Sequence, residues 1–127
     1  MALLPNRCRL VLVVSPGGEV PANIAALSSA LSGGDIASVI LARFDAAEEA
    51  FRDYVTEAVP LIQEAGAAAV VAGDTQAAGR AKADGVHISG RREVLGDAVK
   101  KYQPKWIVGA EVRSSRQQAL AMRWLVD

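Results

Sequence analysis

The sequence predicts a parallel α/β chain of five strand–helix units, and three observations carry that prediction. Short runs of small and β-branched apolar residues, each stopped by Gly, Pro or Asp, read as strands buried on both faces. Stretches with apolar residues three and four apart follow them, as in helices that cover a sheet. The alternation of strand and helix recurs every roughly 20–35 residues, the rhythm of a parallel sheet with crossover helices.

Composition sets the outer bounds. A chain of 127 residues suits one domain, residues 1–127, with a real core. Lys and Arg number 14 and so do Asp and Glu, so no charge excess points to nucleic acid or an anionic membrane surface. Hydrophobic residues are 51% of the chain, yet no apolar run approaches the roughly 18 residues of a membrane span. The single cysteine, Cys8, excludes an intramolecular disulfide and is expected as an inert core thiol in a reducing, cytoplasmic setting. Arg7 and Arg9 flank the first apolar run and no small-residue cleavage pattern follows it, so no leader peptide is expected.

The first strand is Leu10–Val14, a continuous apolar run read as buried. Ser15-Pro16-Gly17-Gly18 stops it; two glycines there resemble a phosphate cradle, but no G-x-G-x-x-G or G-K-[ST] follows, and a plain turn into a helix is the simpler reading. Pro21 suits a first helical turn, Ile24, Leu27 and Leu31 share a face, and Gly33-Gly34 ends the helix. Ile36–Leu41 is the second strand. Asp45-x-x-Glu48 reads as a capping box for a helix with Phe51, Val55, Ala58 and Ile62 inward, Pro60 expected to kink or split it, and Gly66 closing it.

Ala67–Ala72 is the third strand, and Asp74 follows it as a capping carboxylate. A short helix ends near Ala83-Asp84-Gly85, where Asp84 is expected to cap the turn, with Arg80 and Lys82 on a solvated face. Val86-His87-Ile88 is the fourth strand. So short a crossover makes a right-handed βαβ unit, which brings Gly73-Asp74 and Ser89-Gly90 side by side at the C-terminal strand ends, where parallel sheets bind ligands. Arg91-Arg92-Glu93 opens a helix with Val94, Leu95, Ala98 and Val99 inward; Lys100-Lys101 suits its C-terminal end and Pro104 stops it. Trp106–Ala110 is the fifth strand, and Ser114 caps a last helix through Ala119, Leu120 and Trp124.

The segment "GD…ADGVHISG" from Gly73 to Gly90 resembles the "ND…GADGVHLGQ" segment of the thiamine phosphate synthase/TenI family, and "IVGAEVRSSRQQAL" from Ile107 is similar to that family's "IIGVSVHSLEEAL". The resemblance runs over nearly the whole chain. It implies a TIM-barrel type fold, of which the chain holds five βα units of an incomplete (β/α)8 barrel; a complete one has eight strands and typically about 250 residues. It also implies a transferase that joins hydroxymethylpyrimidine diphosphate to thiazole phosphate, releasing diphosphate with the help of Mg²⁺. Partners would then be small phosphorylated pyrimidine and thiazole ligands, with no nucleic acid or membrane and a possible homo-oligomer.

Carried over position by position, the resemblance implies Asp74 and Glu93 for the metal and Arg43, Gly73, Ser89 and Gly90 for substrate; it assigns no catalytic residue. Two departures bear on activity. The chain is short for a barrel and is expected to be truncated. The family's Gln-x-Arg-x-Lys after the second strand becomes Ile40, Ala42 and Phe44, and Arg43 matches only if the register slips by one, which reverses the side chain. The second metal carboxylate falls at Arg92, with Glu93 adjacent, and the family's rim Ser falls at Glu111. His87 has its counterpart in the family and is expected to pack under the rim. Two other readings remain: a catalytically degenerate paralogue that binds a phosphorylated ligand or a partner, and a flavodoxin-like receiver domain with Asp74 and Ser89 at strand ends. The second lacks an acidic pair after strand one and a Lys after strand five.

Overall fold

The computed structural model describes residues 9–17, 20–44, 46–88, 97, 100–102 and 105–110. Its elements are β1 (Leu10–Val14), α1 (Val20–Ser32), β2 (Ile36–Leu41), α2 (Glu48–Glu64), β3 (Ala68–Ala72), α3 (Thr75–Ala81), β4 (Gly85–Ile88) and β5 (Ile107–Ala110). All neighbouring strands pair in parallel, in the order β1-β2-β3-β4-β5. This sequential order is that of a barrel wall. It excludes the receiver reading, whose sheet runs 2-1-3-4-5. Positions 97 and 100–102 are helical; the remainder of the predicted fourth helix and the whole of the last one, with Ser114 and Trp124, lie outside the described residues.

Strand alternation assigns the two faces of the sheet. Val39, Leu41, Ala69, Val71, Val86 and Val108 point to one face, where they form a single core with Leu27 of α1, the apolar stripe of α2, and Ala77 and Ala78 of α3. The alternate positions point the other way. There Val11, Val13 and Ile107 are 52%, 58% and 56% exposed, and Leu10, at the start of the strand beside a register shift, is exposed as well. β1 is therefore not the fully buried strand its composition predicts. Its residues are apolar enough for two covered faces, but α1 and α2 cover only one. β3, at the centre of the sheet, does have Ala69, Val70 and Val71 buried. The result is a wall of an open (β/α) barrel, with its three fully described helices outside.

Local signals account for most boundaries. α1 begins at Val20 with Pro21 in its first turn, and Leu27 is its buried residue, flanked by half-buried Ile24 and Leu31. Asn23 Oδ1 accepts the Gly17 N–H at 3.2 Å, which ties the turn after β1 to the helix. α2 buries Phe51, Tyr54, Val55, Ala58, Val59 and Ile62. Its cap corrects the expected capping box. The N-cap is Ala47, which makes no side-chain cap, and the first turn instead carries Glu48 and Glu49, favourable against the helix dipole. Asp45 itself lies outside the described residues. Pro60 does not split α2. It lies on the exposed side, as does Thr56, the residue four back whose carbonyl a proline cannot serve with an N–H. Gly66, at φ +84°, makes the left-handed exit, with Gly66 N–H on Gln63 O and Ala67 N–H on Ile62 O.

The end of α3 also differs from the sequence reading. Lys82, at φ 58° and ψ 47°, is the left-handed C-cap. Gly85 is a strand residue, required because a Cβ there would collide with the Ile107 carbonyl oxygen and backbone of β5. Asp84 does not cap its own turn. Its Oδ2 accepts the Ala69 N–H at 2.8 Å and Gln63 Nε2 at 3.3 Å, tying α2, β3 and β4 together at the N-terminal edge of the sheet. Arg80 and Lys82 are exposed as expected. Trp106 lies just before β5 and stacks on Tyr102 with ring centroids 5.2 Å apart. Among the described residues no helix is long and apolar enough to cross a membrane.

Two outcomes follow from this packing. Gly85→Ala is expected to destabilise the fold by about 3 kcal/mol, because backbone rather than a movable side chain blocks the new methyl; urea denaturation against the parent chain measures it. The isolated 127-residue chain is expected to self-associate through its apolar inner face, and Val13→Lys to shift it toward monomer. Sedimentation velocity over a concentration series reads both, and a dilute-to-concentrated monomer of the parent chain contradicts the expectation.

Candidate functional site

The C-terminal ends of β2, β3 and β4 form a rim, and two grooves meet there. The outer groove, about 540 Å³, runs between the starts of α2 and α3 and is lined by Arg43, Glu48, Arg52, Gly73, Asp74 and Thr75 among others. The inner groove, about 410 Å³, lies on the open face of the sheet and is apolar apart from its rim, with Val13, Ile40, Ala42, Phe44, Ala72 and His87. Arg43, Ala72 and Gly73 line both and form the partition between them. Both volumes are of the size that small ligands occupy.

Asp74 is set by the turn that precedes it. Gly73 takes φ +80°, a conformation that favours glycine, and its N–H reaches across to His87 O at 3.1 Å. Asp74 then caps α3 as its sequence position predicts: Oδ1 accepts the Ala77 N–H at 3.0 Å. Its Oδ2 faces Arg52 Nε at 3.3 Å. Arg52 in turn places Nη2 2.7 Å from Glu48 Oε1 and donates to Gln76 Oε1 at 3.3 Å. One guanidinium thus bridges two carboxylates. The Asp74 side chain is only 19% exposed. Burial alone pushes its pKa up, but the Ala77 N–H, the Arg52 hydrogen bond and charge, and the Gln76 N–H together outweigh that and hold it below its ordinary 3.8.

Arg52 is the site residue that the sequence reading missed. The signal available was Glu48-x-x-x-Arg52, an i,i+4 pair on a helix, which is common on any solvated face. Its contact with Asp74, 22 residues away in sequence, exists only once α2 and α3 pack side by side.

Arg43 also departs from expectation. β2 ends at Leu41, so strand alternation does not govern residue 43 and no register slip is needed to bring it to the site. Its Nε donates to Ala46 O at 2.7 Å, curling the side chain onto its own loop, while Ser15 Oγ donates to Arg43 O at 3.3 Å. Ile40, Ala42 and Phe44 line the inner groove. His87 is half-buried in β4, with its ring over Gly109 so closely that a Cβ on that glycine would lie 2.9 Å from Nδ1. This is the packing role expected of it. Ser89, Gly90 and Glu93 lie outside the described residues, as do Arg91, Arg92 and Glu111.

Of the two carboxylates implied for a metal, Asp74 lies among the described residues, and it is paired with Arg52. No group of three or more His, Cys, Asp or Glu stands close enough to hold a metal among the described residues. The space between the Glu48 and Asp74 carboxylates is filled by the Arg52 guanidinium. The four charged groups of the outer groove, Arg43 and Arg52 against Glu48 and Asp74, cancel to zero.

Asp74→Ala removes a cap and an ion pair at once, and is expected to cost about 1–2 kcal/mol at pH 7. Because folding lowers the Asp74 pKa, its charged form contributes stability above the ordinary carboxylate value, and that contribution fades as pH falls through the lower folded value. The gap between parent and variant should therefore be full at pH 6–7 and shrink below about pH 4. Urea melts at pH 7 and pH 3 check both the size and the sign.

Residues 10–127 match the sequence model of the family described as thiamine monophosphate synthase. The chain is 32% identical over 113 residues to a thiamine-phosphate synthase of Rhodospirillum centenum, an alignment that covers 89% of this chain and 55% of that protein. Its fold superposes on a thiamine phosphate pyrophosphorylase from Pyrococcus furiosus with a TM-score of 0.73 at 21% identity, covering 90% of this chain and 55% of the other. The chain thus spans about half the length of these relatives. The family match over nearly all of the sequence, joined to the sequential parallel sheet, places this chain in the thiamine monophosphate synthase family.

Proposed function

We propose that this chain carries the β2–β4 part of a thiamine phosphate synthase-type ligand rim, and that it binds a small ligand with a flat apolar ring and a phosphorylated tail. The observation that carries this reading is the pair of grooves that meet at Arg43 and Gly73, one apolar and one polar. The ring would lie in the inner groove against Ile40, Ala42 and His87. The phosphate-bearing end would pass over Gly73, whose lack of a side chain leaves the rim open, toward the Arg43 guanidinium. The reaction proposed for a protein that contains this rim is the joining of hydroxymethylpyrimidine diphosphate to thiazole phosphate with loss of diphosphate. In that reaction the protein stabilises charge on the departing diphosphate with preorganised cations.

That stabilisation is weak in the described residues. Ile40, Ala42 and Phe44, the positions that answer to the family's Gln-x-Arg-x-Lys, offer no donor. Arg52 is neutralised by Glu48 and Asp74. Arg43 donates to the Ala46 carbonyl, and to no carboxylate among the described residues. These replacements favour a second reading, a degenerate paralogue that keeps the ligand and has lost the chemistry. Ser89 and Gly90 would complete the rim in either case. A cytoplasmic location belongs to the same proposal, since the substrates are small, diffusible metabolites, and a homo-oligomeric state is proposed from the exposed Val11, Val13 and Ile107.

The 127-residue chain is expected to show no measurable turnover. Loss of one preorganised charge contact typically costs about 2.7–4 kcal/mol, or ~10²–10³ in rate, and the losses here are several. The assay is incubation of the purified chain with hydroxymethylpyrimidine diphosphate, thiazole phosphate and Mg²⁺, read for thiamine phosphate. Product above the enzyme-free control, lost in Asp74→Ala, overturns the expectation. Calorimetric titration with the pyrimidine diphosphate tests binding separately: heat that disappears in Arg43→Ala supports the rim, and none in the parent chain refutes it.

A further inference from the structure

We propose that Phe44 is the ring-binding residue of this rim: its exposed aromatic face takes the flat, uncharged ring of a small ligand entering the inner groove. The inference deepens the ligand reading above and rests on its inner groove. It starts from the backbone. Ala46 N–H donates to Arg43 O at 2.9 Å, which closes a tight turn after β2. Phe44 stands at the first corner of that turn with φ +46°. A positive φ at this corner favours Gly, Asn and Asp; in other residues the Cβ crowds the carbonyl oxygen that follows, and a phenyl ring makes no hydrogen bond to offset it. The turn is fixed from both sides. Ala42 N–H donates to Val14 O at 2.8 Å, Ser15 Oγ to Arg43 O at 3.3 Å, and Arg43 Nε to Ala46 O at 2.7 Å. The surrounding bonds thus hold a bulky residue in a conformation that it disfavours, a pattern that clusters at functional sites.

Burial does not account for this residue. Phe44 is 74% exposed, the most exposed large apolar side chain among the described residues. Val11, Val13 and Ile107 are strand residues, and the pleat turns them to the open face. Phe44 lies past the end of β2 and is under no such constraint. A strained phenyl ring that faces solvent adds little to the core. Its place is the wall of the inner groove, which it shares with Ile40 and His87. No carboxylate lines that groove among the described residues, and Arg43 brings a positive charge to its rim. An uncharged ring, with any negative charge carried on its tail, suits this lining, and a cationic ring does not. A groove of about 410 Å³ has room for one such ring and its substituents.

The test compares the parent 127-residue chain with Phe44→Asn and Phe44→Tyr, using hydroxymethylpyrimidine, the free alcohol without phosphate, as the probe. Binding is read by ligand-observed nuclear magnetic resonance and stability by urea denaturation. Asn accepts the left-handed backbone and removes the ring; Tyr keeps the ring. The parent and Phe44→Tyr should bind alike, and Phe44→Asn about tenfold or more weakly. Phe44→Asn should also unfold at the same urea concentration as the parent or a higher one, because the strained corner is relieved. Binding and stability lost together indicate a packing role and overturn the proposal. Equal binding by Phe44→Asn overturns it, as does a parent chain that binds no pyrimidine. Sedimentation velocity covers contact with a second copy: self-association lost in Phe44→Asn with pyrimidine binding unchanged assigns Phe44 to that interface instead. The pyrimidine diphosphate separates this inference from the reading it rests on. Diphosphate binding that Arg43→Ala removes and Phe44→Asn leaves unchanged keeps the phosphate rim and refutes the role of Phe44. Free-pyrimidine binding that Phe44→Asn removes, with no gain from the diphosphate, does the reverse.

Discussion

The packing of α2 onto β2 and β3 is the interaction on which the rest of the molecule depends. Phe51, Val55, Ala58, Val59 and Ile62 are all fully buried against strand residues that include Val39, Leu41, Ala69 and Val71. This stripe sets the rotation of the helix about its axis. With Phe51 turned into the core, its neighbour Arg52 is turned to the edge of the sheet, beside the end of β3. The reach from Arg52 to Asp74, and so the character of the rim, follows from hydrophobic burial one residue away.

The same burial is one-sided, and the rim inherits that asymmetry. Apolar side chains on the helix-covered face are enclosed, while those on the other face stand open and wall the inner groove. A polar groove between helix starts and an apolar groove on the open sheet meet at Arg43 and Gly73 because β2 and β3 are adjacent and both strands end there. The side chains that line this meeting place are Ile40, Ala42 and Phe44 on the open face and Arg52 facing Asp74 between the helices.

The opposite edge of the sheet is braced by close backbone approach. Gly85 lies against the Ile107 carbonyl, Ile107 N–H donates to Asp84 O at 3.0 Å, and Asp84 N–H donates to Ala69 O at 2.8 Å. The Asp84 carboxylate adds the bond to the Ala69 N–H. Three strands are thereby held in register over residues 68–70, 84–86 and 107–108. Farther along, Gly109 of β5 makes room for the His87 ring of β4. These two glycines explain how strands of only four residues hold their places.

Most of the architecture was legible in the sequence. Short continuous apolar runs and stripes of period 3.6 are local, so the five strands and the first three helices could be read from neighbouring residues. The cap at Asp74 was legible for the same reason, since a carboxylate reaches an amide three residues on. Several features were not. The exposure of Val11 and Val13 depends on what covers the second face of the sheet, which β1 does not encode. Asp84 offers the same carboxylate whether it caps its own turn or grips β3. Arg52 on a helix surface looks like any arginine four residues after a glutamate. The sequence by itself determined that the chain is a succession of parallel βα units with a carboxylate at the end of the third strand. Only the tertiary structure decided which cation faces that carboxylate, because the two residues are brought together by the burial of α2 and not by any pattern along the chain.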